Sequence, residues 1–234
     1  MGKLVVVTGG TKGIGRAIIE KFAAEGFDVV TCSRKQGDLT ALTKDLTTRY
    51  SIQVDTFQAD LSNLDEARAF TDFVHQLGRE VDVLVNNAGY FTPGQITTEA
   101  EGVLESMIGA NLYSAYYTTR GLAARMKERK EGHIFTMCSI ASIKAYPNGG
   151  SYAISKFALL GFSKVLREEM KEFGVRVTAV LPGATRTSSW DAVPLPEERF
   201  IRPEDVAEAI FGAYSLSPRS VVEEIIIRPQ LGDI

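Results

Sequence analysis

Short β-branched apolar runs alternate with longer stretches of helical pattern along the whole 234-residue chain. The strand-like runs fall at 4–8, 28–33, 53–58, 81–86, 133–138, 175–181 and 224–228. The helix-like stretches fall at 13–25, 38–50, 64–77, 99–130, 151–173 and 203–214. Most of the strand-like runs are continuous rather than alternating, as in Val5-Val6-Val7 and Val81-Asp82-Val83-Leu84-Val85. Continuous runs mark strands covered on both faces. Repeated strand–helix–strand units with right-handed crossovers then build a parallel sheet. The expected fold is therefore α/β, a doubly wound parallel sheet of about seven strands with helices on both faces. No repeat or linker interrupts the pattern, and the length suits one core, so residues 1–234 are expected to form a single domain. The longest irregular stretch, 183–202, holds Trp190, Pro194 and Pro196 and reads as a lid or binding loop.

Composition removes several classes of function. The net charge of -3 gives no basic surface for nucleic acid. No apolar run approaches the ~20 residues needed to cross a bilayer, and no basic cluster suits a membrane surface. The opening Met1-Gly2-Lys3-Leu4-Val5-Val6-Val7-Thr8 is too short in its apolar part for an export signal. A cytoplasmic location is expected. Cys32 and Cys138 each sit in an apolar run and read as buried free thiols. Two histidines without a CxxC pair offer no metal site. His75 reads as a helix-surface residue and His133 as the start of a strand.

The first strand runs directly into Gly9-Gly10-Thr11-Lys12-Gly13-Ile14-Gly15 and then a helix. Glycines let backbone N–H groups approach a pyrophosphate, and the helix N-terminus adds partial positive charge. The spacing is not GxGxxG, so the commoner dinucleotide fingerprint is missed. A purely structural glycine turn is the alternative; its place after the first strand favours a cofactor role.

With this turn the chain resembles the short-chain dehydrogenase/reductase family, whose fold is Rossmann-like. Thr8-Gly9-x-x-x-Gly13-Ile14-Gly15 matches the TGxxxGIG turn of that family. Further motifs follow in order: Asp60-Leu61, Asn86-Asn87-Ala88-Gly89, Asn111, Ser139, Tyr152-x-x-x-Lys156 and Pro182-Gly183. The resemblance implies that Asp60 accepts from the adenine amino group, with Leu61 beside it. It implies that Asn87, Ala88 and Gly89 line the adenosine ribose, and that Ile14 lies at the pyrophosphate. Pro182, Gly183 and Thr187 are expected to hold the nicotinamide end, and Asn86 to brace strands.

Cofactor choice is read at the end of the second strand. NAD-specific enzymes of this architecture place a carboxylate there. Here the strand ends Thr31-Cys32-Ser33-Arg34. Ser33 leaves room for a 2′-phosphate, Arg34 offers it a planar fork of donors, and Lys12 adds a second charge. NADP(H) is the expected cofactor.

Tyr152 and Lys156 are four residues apart on a helix and share a face. Reduction of a carbonyl needs hydride at carbon and a proton at oxygen. A free phenol, with a pKa of ~10, exchanges protons poorly at neutral pH, and a nearby ammonium is expected to lower that value. The resemblance implies that Lys156 also binds the nicotinamide ribose. It implies that Ser139 holds the substrate oxygen near Tyr152, and that Asn111 holds a water linking Lys156 to solvent. The substrate wall is expected from Tyr90, Phe91, Ile140, Tyr146 and the 183–202 loop. Tyr146 and Trp190 could flank a flat ring, or close the lid on the core.

The substrate is expected to be a small carbonyl compound, either a diketone or the side-chain ketone of a pterin-like ring. The ending Val221-Val222-Glu223-Glu224-Ile225-Ile226-Ile227-Arg228-Pro229 lacks the VNGG-like turn usual in reductases of 3-oxoacyl groups on acyl carrier protein. That ending, with Thr187 and Trp190, more closely resembles bacterial sepiapterin reductases. The carrier-protein reductase remains the alternative, and a non-catalytic NADP-binding sensor or scaffold the second. The resemblance also implies pairing through the two long helices into a homodimer or homotetramer.

Overall fold

The first strand shows how this sheet is buried. In β1 (Leu4–Thr8) the side chains of Leu4 and Val6 enter one core layer and those of Val5 and Val7 the other, all fully buried. The same alternation runs through β4 (Val83–Asn86) and β5 (His133–Met137). A strand with two apolar faces needs helices on both sides of the sheet. The computed structural model supplies them; it describes residues 2–191 and 193–234. Met1, in the opening segment, and Ala192, in the 183–202 loop, lie outside the described residues.

Seven parallel strands stand in the order β3-β2-β1-β4-β5-β6-β7. The remaining strands are β2 (Asp28–Ser33), β3 (Val54–Gln58), β6 (Arg176–Pro182) and β7 (Glu224–Ile227). One face carries α1 (Gly13–Ala24), α2 (Gln36–Arg49) and α7 (Pro203–Tyr214). The other carries α3 (Leu64–Gln76), α5 (Ser114–Arg129) and α6 (Gly150–Met170). The chain order reverses between β1 and β4, where the carboxyl ends of the strands open a crevice.

Local chemistry sets the element ends. Asn63 caps α3, its side-chain oxygen accepting from the N–H groups of Asp65 and Glu66 at 2.9 and 3.3 Å. Pro203 opens α7, where its missing N–H costs nothing. β4 starts later than the expected 81, and α2 earlier than the expected 38. The expected helix over 99–130 needs the largest correction. It starts only at Val103, after Gly102 at φ 87, as α4 (Val103–Ile108). It then widens into a π-turn at Gly109–Tyr113 before continuing as α5. Such π-turns gather at functional positions, and this one holds Asn111. The 183–202 loop is also more ordered than its composition suggests, with 3₁₀ turns at Ser188–Trp190 and Glu197–Arg199 and a bridge between Thr185 and Ile201.

Both cysteines are buried and free. His133 is fully buried, stacked on Phe135, and Nε2 meets Thr178 Oγ1 at 2.8 Å. His75 is half-buried rather than at the surface, its Nε2 lying 2.8 Å from the Gly121 carbonyl on α5. Among the described residues no helix is long and apolar enough to cross a membrane, and no cluster could hold a metal.

Candidate active site

The carboxyl ends of β1, β2, β4, β5 and β6 surround one cavity of about 750 Å³. Most residues singled out above for cofactor, catalysis or substrate line it; Asn111, Gly10 of the glycine turn, and Pro194 and Pro196 of the 183–202 loop do not.

At the glycine turn, Gly13 has φ +55, and a Cβ there would come within 3.1 Å of the Thr187 methyl group. Glycine therefore lets the segment after β6 close directly over the turn. Helix α1 begins here with no side-chain cap and no acid in its first turn. Its first N–H groups are open to an anion. Thr8 ties the turn to β4, its Oγ1 accepting from the N–H groups of Asn87 and Ala88, each at 2.9 Å.

Arg34 is exposed on the cavity wall and has no ion-pair partner among the described residues. Lys12 does have one, lying 3.0 Å from Asp38. Sequence reasoning missed this carboxylate, which lines the cavity with Lys35. It sits in the first turn of α2, a place that strand-end reading does not inspect. Asp60 also lines the cavity, with Oδ1 accepting from the Ser62 N–H and hydroxyl at 3.0 and 2.7 Å.

Asn87 reaches the cavity, yet its amide is spent on bracing: Nδ2 donates to the carbonyls of Thr8 and Gly9 at 2.9 and 3.1 Å. Asn86 braces a helix rather than a neighbouring strand, donating to Thr119 Oγ1 on α5 at 2.8 Å. Asn111 departs from the expectation. It is fully buried, and its Nδ2 donates to Ser155 Oγ at 2.9 Å and to the Tyr90 carbonyl at 3.1 Å. Its Oδ1 accepts from the Tyr90 N–H at 2.9 Å. The side chain is consumed in holding the loop after β4 against α6, so no part of it faces the cavity.

Tyr152 and Lys156 lie in the first two turns of α6, beside Ser139 at the end of β5. Burial pushes the Tyr152 phenol up to about 12, while the neighbouring Ser139 hydroxyl pulls the other way. Burial brings the Lys156 ammonium down to about 8. The expected lowering of the phenol by the ammonium is therefore corrected. Lys156 Nζ donates to the Met137 carbonyl at 2.7 Å and sits 5.8 Å from the tyrosine ring centre. Loss of hydration outweighs attraction at that separation.

The far wall is aromatic. Phe91 packs edge-on against Tyr152 with ring centres 4.8 Å apart, and Tyr146 is half-exposed beside them. Trp190 leans on Phe200, ring centres 5.4 Å apart, as the lid reading expects, and it also lines the cavity. Lys144 and Asp233, paired at 3.1 Å, complete this end. Asp233 is held low by Arg228 first and then by Lys144. It comes from a segment distant in sequence, with no local signal to announce it.

A crevice at the sheet's switch point, with a glycine turn at one end and Ser, Tyr and Lys at the other, defines a nucleotide-dependent oxidoreductase. The short chain dehydrogenase family model matches residues 3–197, and the chain belongs to that family. It is 34% identical to the sepiapterin reductase of Chlorobaculum tepidum over 242 aligned positions, covering 100% of this chain and 99% of that protein. Among solved structures, an alcohol dehydrogenase from Thermococcus sibiricus complexed with 5-hydroxy-NADP matches with a TM-score of 0.92 at 26% identity, covering 98% of this chain and 97% of that one. L-sorbose reductase from Gluconobacter frateurii, complexed with NADPH and L-sorbose, matches with a TM-score of 0.90 at 26% identity, covering 97% and 95%.

Proposed function

We propose that this chain is an NADPH-dependent reductase of small carbonyl compounds, with Tyr152 as the proton donor. The observation that carries the reading is a phenol, a serine hydroxyl and a buried lysine amine brought together on one wall of the cavity. At neutral pH a phenol near 12 keeps its proton, which is the state a donor to a reduced carbonyl oxygen needs. A lysine near 8 remains mostly charged at pH 7 and can stabilise the phenolate left behind.

The opposite end of the cavity suits NADPH, as do the cofactors of the similar structures. The uncapped start of α1 would receive the pyrophosphate, and Arg34 with Lys12 the 2′-phosphate. Gly9, Thr11, Ser33, Asp60 and Ala88 would hold the adenosine half; Pro182, Gly183, Thr187 and Lys156 the nicotinamide half. When bound, NADPH supplies the hydride. Ser139 then orients the substrate oxygen towards Tyr152, and the Phe91, Tyr146 and Trp190 walls exclude water.

The substrate class we favour is a pterin-like side-chain ketone or a diketone. The flat aromatic walls and the likeness to a sepiapterin reductase support it. An exposed apolar row on α6, formed by Ile154, Phe157 and Val165, with Tyr113 and Tyr116 nearby, supports pairing of two copies through these helices. The two buried, unpaired cysteines fit the reducing cytoplasm.

The test is a comparison of sepiapterin, diacetyl and an acetoacetyl thioester under identical NADPH conditions. Sepiapterin or diacetyl should give the highest kcat/KM. A clear advantage for the thioester, especially on its carrier protein, would replace this reading with the carrier-protein reductase. Cofactor binding without turnover on any carbonyl would favour the sensor.

A further inference from the structure

Helix α6, which carries Tyr152 and Lys156, starts without a cap of its own. The residue before it is Gly149, no acid lies in its first turn, and no side chain from its own N-cap position serves it. The first N–H groups of a helix are orphan donors that need an acceptor. Here the acceptor comes from 52 residues upstream in sequence: Glu99 Oε1 accepts from the Ser151 N–H at 3.0 Å. The second carboxylate oxygen, Oε2, accepts from the Ser151 hydroxyl. An anion at this end of the helix is also favoured by the helix dipole.

Glu99 is itself held on a built platform. Its N–H and that of Thr98 donate to the Gln95 carbonyl at 2.8 and 2.9 Å. Gly94 forms a bridge with Gly149 and donates to the Asn148 carbonyl at 3.0 Å. Gln95 Nε2 donates to Asn148 Oδ1 at 3.1 Å. The fit leaves no room for a side chain between the two segments. Gly150 has φ +36, and a Cβ there would strike the Glu99 carboxylate and come within 2.6 Å of the Gly94 carbonyl oxygen. Both segments carry a cavity wall. The loop holding Glu99, which follows β4, also carries Phe91, which packs on Tyr152. The segment before α6 holds Tyr146, whose carbonyl accepts from the Gly149 N–H at 3.1 Å.

We propose that Glu99 is a positioning residue for the proton donor: its carboxylate clamps the start of α6 and fixes Tyr152, the residue next to Ser151, at the substrate carbonyl. This rests on the reading of Tyr152 as proton donor. The clamp sits one residue before Tyr152 and more than a turn before Lys156, and far from the glycine turn, so its loss bears on proton delivery more than on cofactor affinity.

Glu99→Ala, Glu99→Gln, Ser151→Ala and Tyr152→Phe test it, assayed with NADPH and diacetyl alongside NADPH binding by fluorescence titration. Glu99→Ala should lower kcat about tenfold and raise the solvent deuterium isotope effect on kcat, with NADPH Kd within twofold of wild type. Glu99→Gln keeps an acceptor for the Ser151 N–H and should recover most of the rate. Ser151→Ala, which keeps the backbone donor, should fall between them, and it gives the same readout if Glu99→Ala does not fold. An unchanged kcat and isotope effect in the folded variants would overturn the proposal, as would losses of kcat and NADPH affinity in parallel without rescue by Gln. If Tyr152→Phe retained the wild-type rate, the proton-donor reading itself would fall. If Tyr152→Phe were inactive and Glu99→Ala unimpaired, only the role of Glu99 would fall.

Discussion

Burial acts on Tyr152 and Lys156 in opposite senses, because one is charged after losing a proton and the other before. The phenol stands near 12 and the ammonium near 8. Lys156 is therefore a cation below about pH 8 and neutral above it, while Tyr152 keeps its proton throughout the range of ordinary assays. If reduction needs the cation, kcat/KM should be level below neutrality and fall as pH rises through 8. A rate that climbs across pH 7–9 would contradict this. Cofactor choice also belongs to single residues. Arg34 is unpaired among the described residues, whereas Lys12 shares its charge with Asp38. NADPH should be preferred over NADH by at least tenfold, or about 1.4 kcal/mol. Ser33→Asp with Arg34→Leu should reverse the preference by repelling the phosphate; equal kcat/KM for both cofactors in the wild type would refute the role given to Arg34.

Elements whose ends are written in local chemistry were readable from the sequence. β1, β2 and α7 run from end to end as their residues suggest, and α3 starts at Leu64 as expected, capped by Asn63. Asn63→Ala should cost about 1 kcal/mol in urea unfolding. The run through 99–130 was misread because helical periodicity records neither the left-handed Gly102 nor the extra residue of a π-turn. That turn is set by tertiary bonds from Asn111 to Tyr90 and Ser155. His133 gives β5 a pH dependence that the sequence did not show. Burial, and then repulsion by Arg176, lower its pKa from 6.5 to about 2. The unfolded chain takes up a proton near 6.5 that the folded chain refuses. Stability is thus fully present above 6.5 and is lost as pH falls towards 2. Denaturant unfolding should show less stability at pH 4.5 than at pH 7. His133→Leu should flatten that slope, since Thr178 keeps its bond to the Val222 carbonyl.

At the scale of the molecule, the parallel sheet and its switch point followed from apolar runs and chain order, which are local properties repeated along the sequence. The cavity's chemistry was legible wherever a motif sat at a strand end, as with Ser139 and Pro182. Asp38, Lys144, Asp233 and the Glu99 clamp were not, because each owes its place to long-range contact and none stands in a motif. The exposed Ile154, Phe157 and Val165 lie on one face of α6. Phe157→Glu should convert an assembly to monomers in sedimentation analysis, and a wild-type chain that is already monomeric would remove helix pairing. The decisive measurement is the rate of NADPH oxidation with the preferred carbonyl for wild type and Tyr152→Phe, with NADPH affinity measured in parallel. Loss of nearly all turnover with affinity kept within a few-fold is the expected result, because the ring stays and only the proton donor is removed. A Tyr152→Phe enzyme with a near-normal rate would contradict the assignment of this site.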